Sequence, residues 1–252
     1  ISDWGFGPYA LNIIAFEIAI VVQFLTTTAL VVEIIEARGS SAHRSALGGL
    51  PEQLSMAVNY GVKNRVVLIL LVAVMTIGFG LASVELLWQP RVQEIAGESM
   101  ETWILGVLAA GYFFSSSVGN LLSTPTCRLL KNNYPSALTA LRVATGLSLL
   151  FLAWQGSILG FAAFYFIMFF FSGIADSPHA TMFNNQIPRS VRSTLLSFQS
   201  VMLQLGGLGG SLIIGYIART HSIQFAWTVA AVVILISSVT YVLLMTVKSA
   251  PT

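Results

Sequence analysis

Apolar residues in this chain come in long unbroken runs. Seven reach the roughly 20 residues that a helix needs to cross the hydrocarbon core of a bilayer: 8–35, 66–88, 102–123, 137–154, 157–176, 194–218 and 223–246. Lipid cannot satisfy the hydrogen bonds of an open strand edge, so a spanning segment is a helix or part of a closed barrel. The in-and-out alternation of a barrel strand is missing from these runs. The pattern therefore predicts an all-α integral membrane protein with seven transmembrane helices. Most polar stretches between the runs are short, and 36–65, EARGSSAHRSALGGLPEQLSMAVNYGVKNR, is the exception. It separates the first run from six that follow closely. That asymmetry predicts a trailing helix of one bundle over 1–35, a cytoplasmic linker over 36–65 and a six-helix bundle over 66–248. Within the linker, 51–62 is expected as a short helix lying on the membrane surface.

Composition agrees with lipid as the solvent. The chain is 56% hydrophobic and 9% charged, against roughly 25% charged residues in an ordinary soluble domain, and its mean hydropathy is +0.82. The single cysteine, Cys127, excludes a disulfide framework within the chain, and no C-x-x-C spacing is present to hold a metal. The chain opens on Ile1-Ser2-Asp3-Trp4 without a signal-peptide pattern, and is expected to be a piece of a longer protein.

The net charge of +2 matters less than its distribution. With the N-terminus placed outside, ten basic residues fall inside: Arg38, Arg44, Lys63, Arg65, Arg128, Lys131, Arg142, Arg189, Arg192 and Lys248. Only Arg91 and Arg219 fall outside, in keeping with the excess of Lys and Arg in cytoplasmic loops. The loop 89–101 carries Glu94, Glu98 and Glu101 instead. Trp4, Trp88, Trp103, Trp154 and Trp227 are expected near outer ends, where indole rings favour the interface.

The stretch 204–216, QLGGLGGSLIIGY, looks at first like a phosphate-binding loop, but it lacks G-x-G-x-x-G and has no G-K-[ST]. Spacing by four fits instead: Gly206 to Gly210, Gly207 to Ser211, and Ser211 to Gly215. On a helix these small residues share a face, and such a face in lipid invites a close neighbouring helix.

One helix, a long basic linker and six further helices resemble the second half of a major facilitator superfamily transporter, preceded by the last helix of its first half. Those proteins are built from two six-helix halves related by an axis along the membrane normal. NNQIPRSVRSTLLSFQSVMLQLGGLGGSLIIGYIA at 184–218 resembles the tenth loop and eleventh helix of drug-antiporter-like members, and VELLWQP at 84–90 resembles the outer end of their seventh helix. One departure concerns the loop after the eighth helix, GNLLSTPTCRLLKN. It keeps Gly119 and Arg128 of the family's G-x-x-x-D-R-x-G-R-[KR] motif, but Ser123 stands where the aspartate would be. The resemblance implies a secondary active transporter that moves a small molecule by alternating access, with proton-coupled efflux. It also implies that the partners are substrate, protons, lipid and a missing N-terminal half, with no cofactor, no metal and no nucleic acid. The expected location is the bacterial inner membrane, with the C-terminus cytoplasmic.

Candidate residues follow. Glu85, with Trp88 and Gln89, either forms a cavity mouth that takes a cationic group or a proton, or is a carboxylate solvated at headgroup level. An ionised group within a spanning segment is expensive and usually faces protein or water. Pro90 is expected to end or kink that helix. Asp176 either lines the cavity or pairs with Arg189 or Arg192 near an inner gate. Tyr165, in FAAFYFIMFFFSGIAD, either lines an apolar wall or packs against lipid and neighbours. Tyr112 and Asn120 make the 102–123 segment polar, by cavity lining or by bonds between helices. Gly206, Gly207, Gly210, Ser211 and Gly215 serve packing, or sliding at the seam between halves that the resemblance implies. His43, His179 and His221 are placed in loops or at helix ends, and no segment holds two acids close together, so catalytic residues are not expected.

Overall fold

The computed structural model describes residues 55, 59–61, 63–97, 101–188 and 191–246. The expected first span at 8–35 and nearly all of the linker lie outside them. The described residues form an all-helical bundle: α1 (Arg65–Ala96), α2 (Trp103–Leu121), the short α3 (Ser123–Leu129), α4 (Tyr134–Ala153), α5 (Ile158–Gln186), α6 (Arg192–Thr220) and α7 (Ile223–Thr246). Six of these are long and apolar enough to cross a membrane.

The ends have local causes. The Asn64 side chain accepts from the Val66 and Val67 amides at the start of α1, Asn133 from Ser136 at the start of α4, and Ser157 from Gly160 at the start of α5, satisfying donors that a helix leaves orphaned. Gly97, at φ 69°, closes α1. Between α3 and α4 the chain turns through Lys131 and Asn132, both in the left-handed region at φ 55° and 57°.

Two helices outrun their apolar segments. The helix expected to stop or kink at Pro90 continues through it to Ala96. The segment expected to end at 176 runs on as helix past Pro178 to Gln186. Proline removes one intrahelical bond, and packing of the following turns outweighs that loss: Val92 lies beyond Pro90, His179 and Phe183 beyond Pro178, and all three are buried. At 1.5 Å per residue α1 is roughly 48 Å long, well over a hydrocarbon core of about 30 Å.

The most extensive helix pair is α1 with α6. A Cβ at Gly206 would strike the Met75 carbonyl, one at Gly210 the Phe79 carbonyl, and one at Gly78 the Leu203 carbonyl. The two backbones touch, which only glycine allows there. Gly207 and Gly215 lie along the same pair, where added Cβ atoms would meet Ala82 at 3.7 Å and Leu86 at 3.2 Å, and Ser211 is half-buried. The α2–α5 pair closes the same way, through Gly119 on the Phe170 carbonyl and Gly173 on that of Ser116.

Two apolar clusters fill the bundle. One gathers Val84, Leu149, Leu152, Phe161, Phe169 and Trp227; the other gathers Leu70, Leu71, Leu138, Phe183, Leu195 and Tyr241. Buried hydroxyls are satisfied by their own helix: Ser83 donates to the Phe79 carbonyl at 2.6 Å and Thr145 to that of Leu141 at 2.9 Å. Trp227, expected at an interface, is fully buried, and its indole N–H donates to the Ser83 carbonyl at 3.0 Å. Trp103 and Trp154 are exposed, and Trp88 is half-buried. The outward faces carry large apolar side chains such as Phe114, Leu159, Leu212 and Ile236, the surface expected of a bundle bathed in lipid.

Candidate functional site

Between the two apolar clusters lies a cavity of about 270 Å³, bounded by α1, α4, α5, α6 and α7. Helical spacing aims the lining. Leu138, Arg142 and Thr145 form one stripe of α4; Ser172, Asp176 and His179 form one of α5; Val74, Ile77 and Leu81 face them from α1. Gln199, Ser200 and Leu203 of α6 and Tyr241 of α7 complete the wall.

Arg142 dominates it. The side chain is buried, with 8% exposure, in the third turn of an apolar helix. Its guanidinium donates to the Ala73 carbonyl at 2.9 Å and to Thr76 Oγ1 at 3.4 Å, and stands 5.8 Å from the centre of the Tyr241 ring. Among the described residues these partners are neutral, and Arg142 Nε has none. Asp176 is exposed along the cavity and within electrostatic reach of Arg142, but the two do not form an ion pair. The pairing expected for Asp176 with Arg192 is not formed either; Arg192 is exposed and donates weakly to the Asn184 carbonyl at 3.4 Å. Arg189 lies outside the described residues.

His179 is buried in the body of α5 and not in a loop or at a helix end. Its Nδ1 sits 3.0 Å from the Tyr241 hydroxyl, and its Nε2 has no partner. The cavity thus collects a cation, a carboxylate, an imidazole and a phenol from three helices.

A second grouping holds other sequence candidates. Trp88 and Tyr165 rings lie 5.8 Å apart, Tyr112 and Tyr165 6.5 Å, and Tyr112 and Phe169 4.1 Å. Phe161 stacks on Tyr165 at 5.5 Å. Glu85 is exposed on α1 and acts electrostatically on the hydroxyls of Tyr112 and Tyr165. Gln89 and Asn120 are exposed, and no hydrogen bond or ring contact ties either to this cluster.

The sequence reading missed Arg142, His179 and Tyr241. The tally of basic residues places Arg142 in a loop, yet its position falls inside the apolar run 137–154, and an ionisable residue inside a spanning segment is itself the signal. His179 stands three residues after Asp176, on the same helical face. Tyr241 carried no signal of its own.

Among the described residues no group of three or more His, Cys, Asp or Glu is arranged to hold a metal ion. Cys127 is buried in α3, and burial pushes its thiol pKa up, away from a reactive thiolate. The chain matches no protein-family model and no curated protein with which it was compared.

Proposed function

We propose that the chain is part of a secondary active transporter of the major facilitator type, moving a small molecule across the membrane by alternating access. One observation carries the reading: a cavity lined by a buried arginine and an exposed aspartate inside an apolar helical bundle. Ionisable side chains at membrane depth are costly and mark pathways for substrate or ions. A purely structural bundle gains nothing from a hollow with charged walls. The close glycine contact between α1 and α6 also suits a transporter, because smooth helix faces permit small relative movements.

Proton coupling and efflux form the finer part of the proposal. Glu85, an exposed carboxylate beside the Tyr112–Tyr165 cluster, is the residue proposed to exchange protons, and Asp176 is the second. The distribution of basic residues supports a cytoplasmic start of α1, and the membrane proposed is a bacterial inner membrane. A cysteine replacing Glu101 is then expected to react with an impermeant thiol reagent added to intact cells, and labelling only after lysis would reverse the orientation.

Flux tests the reading. In proteoliposomes, an imposed proton gradient is expected to drive uptake or release of amphipathic test compounds. Glu85→Gln should remove coupled flux while leaving counterflow exchange, because the amide keeps the shape and loses the charge. Gradient-driven flux unchanged in both Glu85→Gln and Asp176→Asn would remove both residues from the coupling role. No gradient-driven movement of any compound by the unaltered protein would count against transport itself.

A further inference from the structure

We propose that the cavity among α1, α4, α5, α6 and α7 is a binding site for a small organic anion, with the Arg142 guanidinium receiving its carboxylate. This names a ligand class for the transport reading above and rests on it.

Arg142 carries a buried charge that no described acid contacts. A guanidinium stays protonated in proteins and offers five N–H donors in a fixed fork. Buried, it is costly unless a counter-charge meets it at good geometry. Among the described residues Arg142 has only a carbonyl, a hydroxyl and an aromatic face in contact, with Nε unpartnered. The remaining described acids lie elsewhere: Glu94 is held by Arg91, Glu101 accepts from the Trp103 indole, and Glu85 is beside the aromatic cluster. Of the described acids Asp176 alone faces Arg142, and it stops short of contact. It supplies attraction from a distance and leaves the second terminal nitrogen, which bonds no group among the described residues, to donate to a ligand's carboxylate, a charge-assisted bond stronger than a neutral one.

The remaining walls select the body of the ligand. Val74, Ile77, Leu81, Leu138 and Leu203 present hydrocarbon to the cavity. His179 and Tyr241, joined at 3.0 Å, add a polar edge beside the guanidinium. An apolar body with one carboxylate satisfies both surfaces, and a volume near 270 Å³ suits a molecule about the size of benzoate. Asp176 repels such a ligand. It therefore acts as a competitor, and removing its charge should strengthen binding.

Benzoate is the probe, with benzamide as its neutral counterpart of the same shape. The protein in nanodiscs is heated at increasing concentrations of each, because a ligand that binds the folded state raises Tm. Benzoate is expected to raise Tm in a saturable way, with half-saturation at least about tenfold below that of benzamide, as charged hydrogen bonds of ~1.5–3 kcal/mol imply. Arg142→Met should abolish the difference between the two compounds. Asp176→Asn should lower the half-saturation for benzoate, and this arm decides the matter if the methionine variant does not fold. Equal effects of benzoate and benzamide, or benzoate binding indifferent to Asp176→Asn, would overturn the proposal. Binding is read without transport: benzoate binding in a protein that moves nothing across vesicles defeats only the transport reading, and flux without this binding defeats only the anion site.

Discussion

Two arginines are buried in this bundle to nearly the same degree, Arg91 at 6% exposure and Arg142 at 8%, and they are held in opposite ways. Arg91 lies near the end of α1, beyond Pro90. It meets the Glu94 carboxylate at 3.0 Å, and its other terminal nitrogen donates to the Gln155 carbonyl at 2.7 Å. It ties α1 to the connection between α4 and α5 with an acid in hand. Arg142 bridges α4 to α1 and lies over Tyr241 of α7, with no acid in contact among the described residues and a cavity beside it. Both leave Nε unpartnered, so an orphaned nitrogen alone does not separate a lock from a site. The counter-charge does. A buried cation whose acid is supplied by its own helix is complete, and one whose acid stands off across a hollow has capacity left for a ligand.

Substitutions can break this contrast. The largest effect is expected at Arg91. Arg91→Met loses charge-assisted bonds to Glu94 and Gln155 and should destabilise the fold by ~1.5–3 kcal/mol, read as a lower Tm. Stability unchanged by this substitution would show that the Arg91 tie contributes little. Tyr241→Phe comes next. It keeps the ring under Arg142 but removes the hydroxyl that His179 Nδ1 meets, leaving a buried imidazole nitrogen alone at a cost of about 1–2 kcal/mol. The same measurement checks it, and Tyr241→Phe with His179→Phe should cost less than the sum of the two single changes.

Arg142→Met is expected to change stability by no more than about 1 kcal/mol, because exchanging a poorly paired buried ion for an apolar chain is often neutral or favourable. A loss as large as that at Arg91 would make Arg142 a second structural tie. The smallest effect belongs to Glu94→Gln. Glu94 is about half exposed, at 49% for its side chain, and its ion pair should contribute about 0.5 kcal/mol, a difference that added salt should erase.

Six long apolar helices could be read from the runs because hydropathy over about 20 residues reports the solvent a segment must face. The boundaries at Ala96 and Gln186 could not, because hydropathy falls before them, while Val92 and Phe183 in the added turns are buried in the bundle. The candidate site was half legible. Asp176, Glu85, Trp88, Tyr112 and Tyr165 stood out as polar or aromatic groups in apolar surroundings, and the spacing by four marked Gly206 and Gly210. Arg142 was misplaced because a tally of basic residues treats every arginine near a helix end as solvated.

The sequence by itself determined the solvent, the helical class and the small-residue face, because each depends on residues close together in the chain. Only the tertiary structure decided which charges share a space. Arg142, Asp176 and Tyr241 come from three helices, and positions 142 and 241 meet although they stand 99 apart in the chain. Such meetings follow from how α1 and α6 touch through Gly78, Gly206 and Gly210 and how α4, α5 and α7 close around them. A local pattern records which face of a helix is polar. It does not record what that face will find opposite once the bundle has packed.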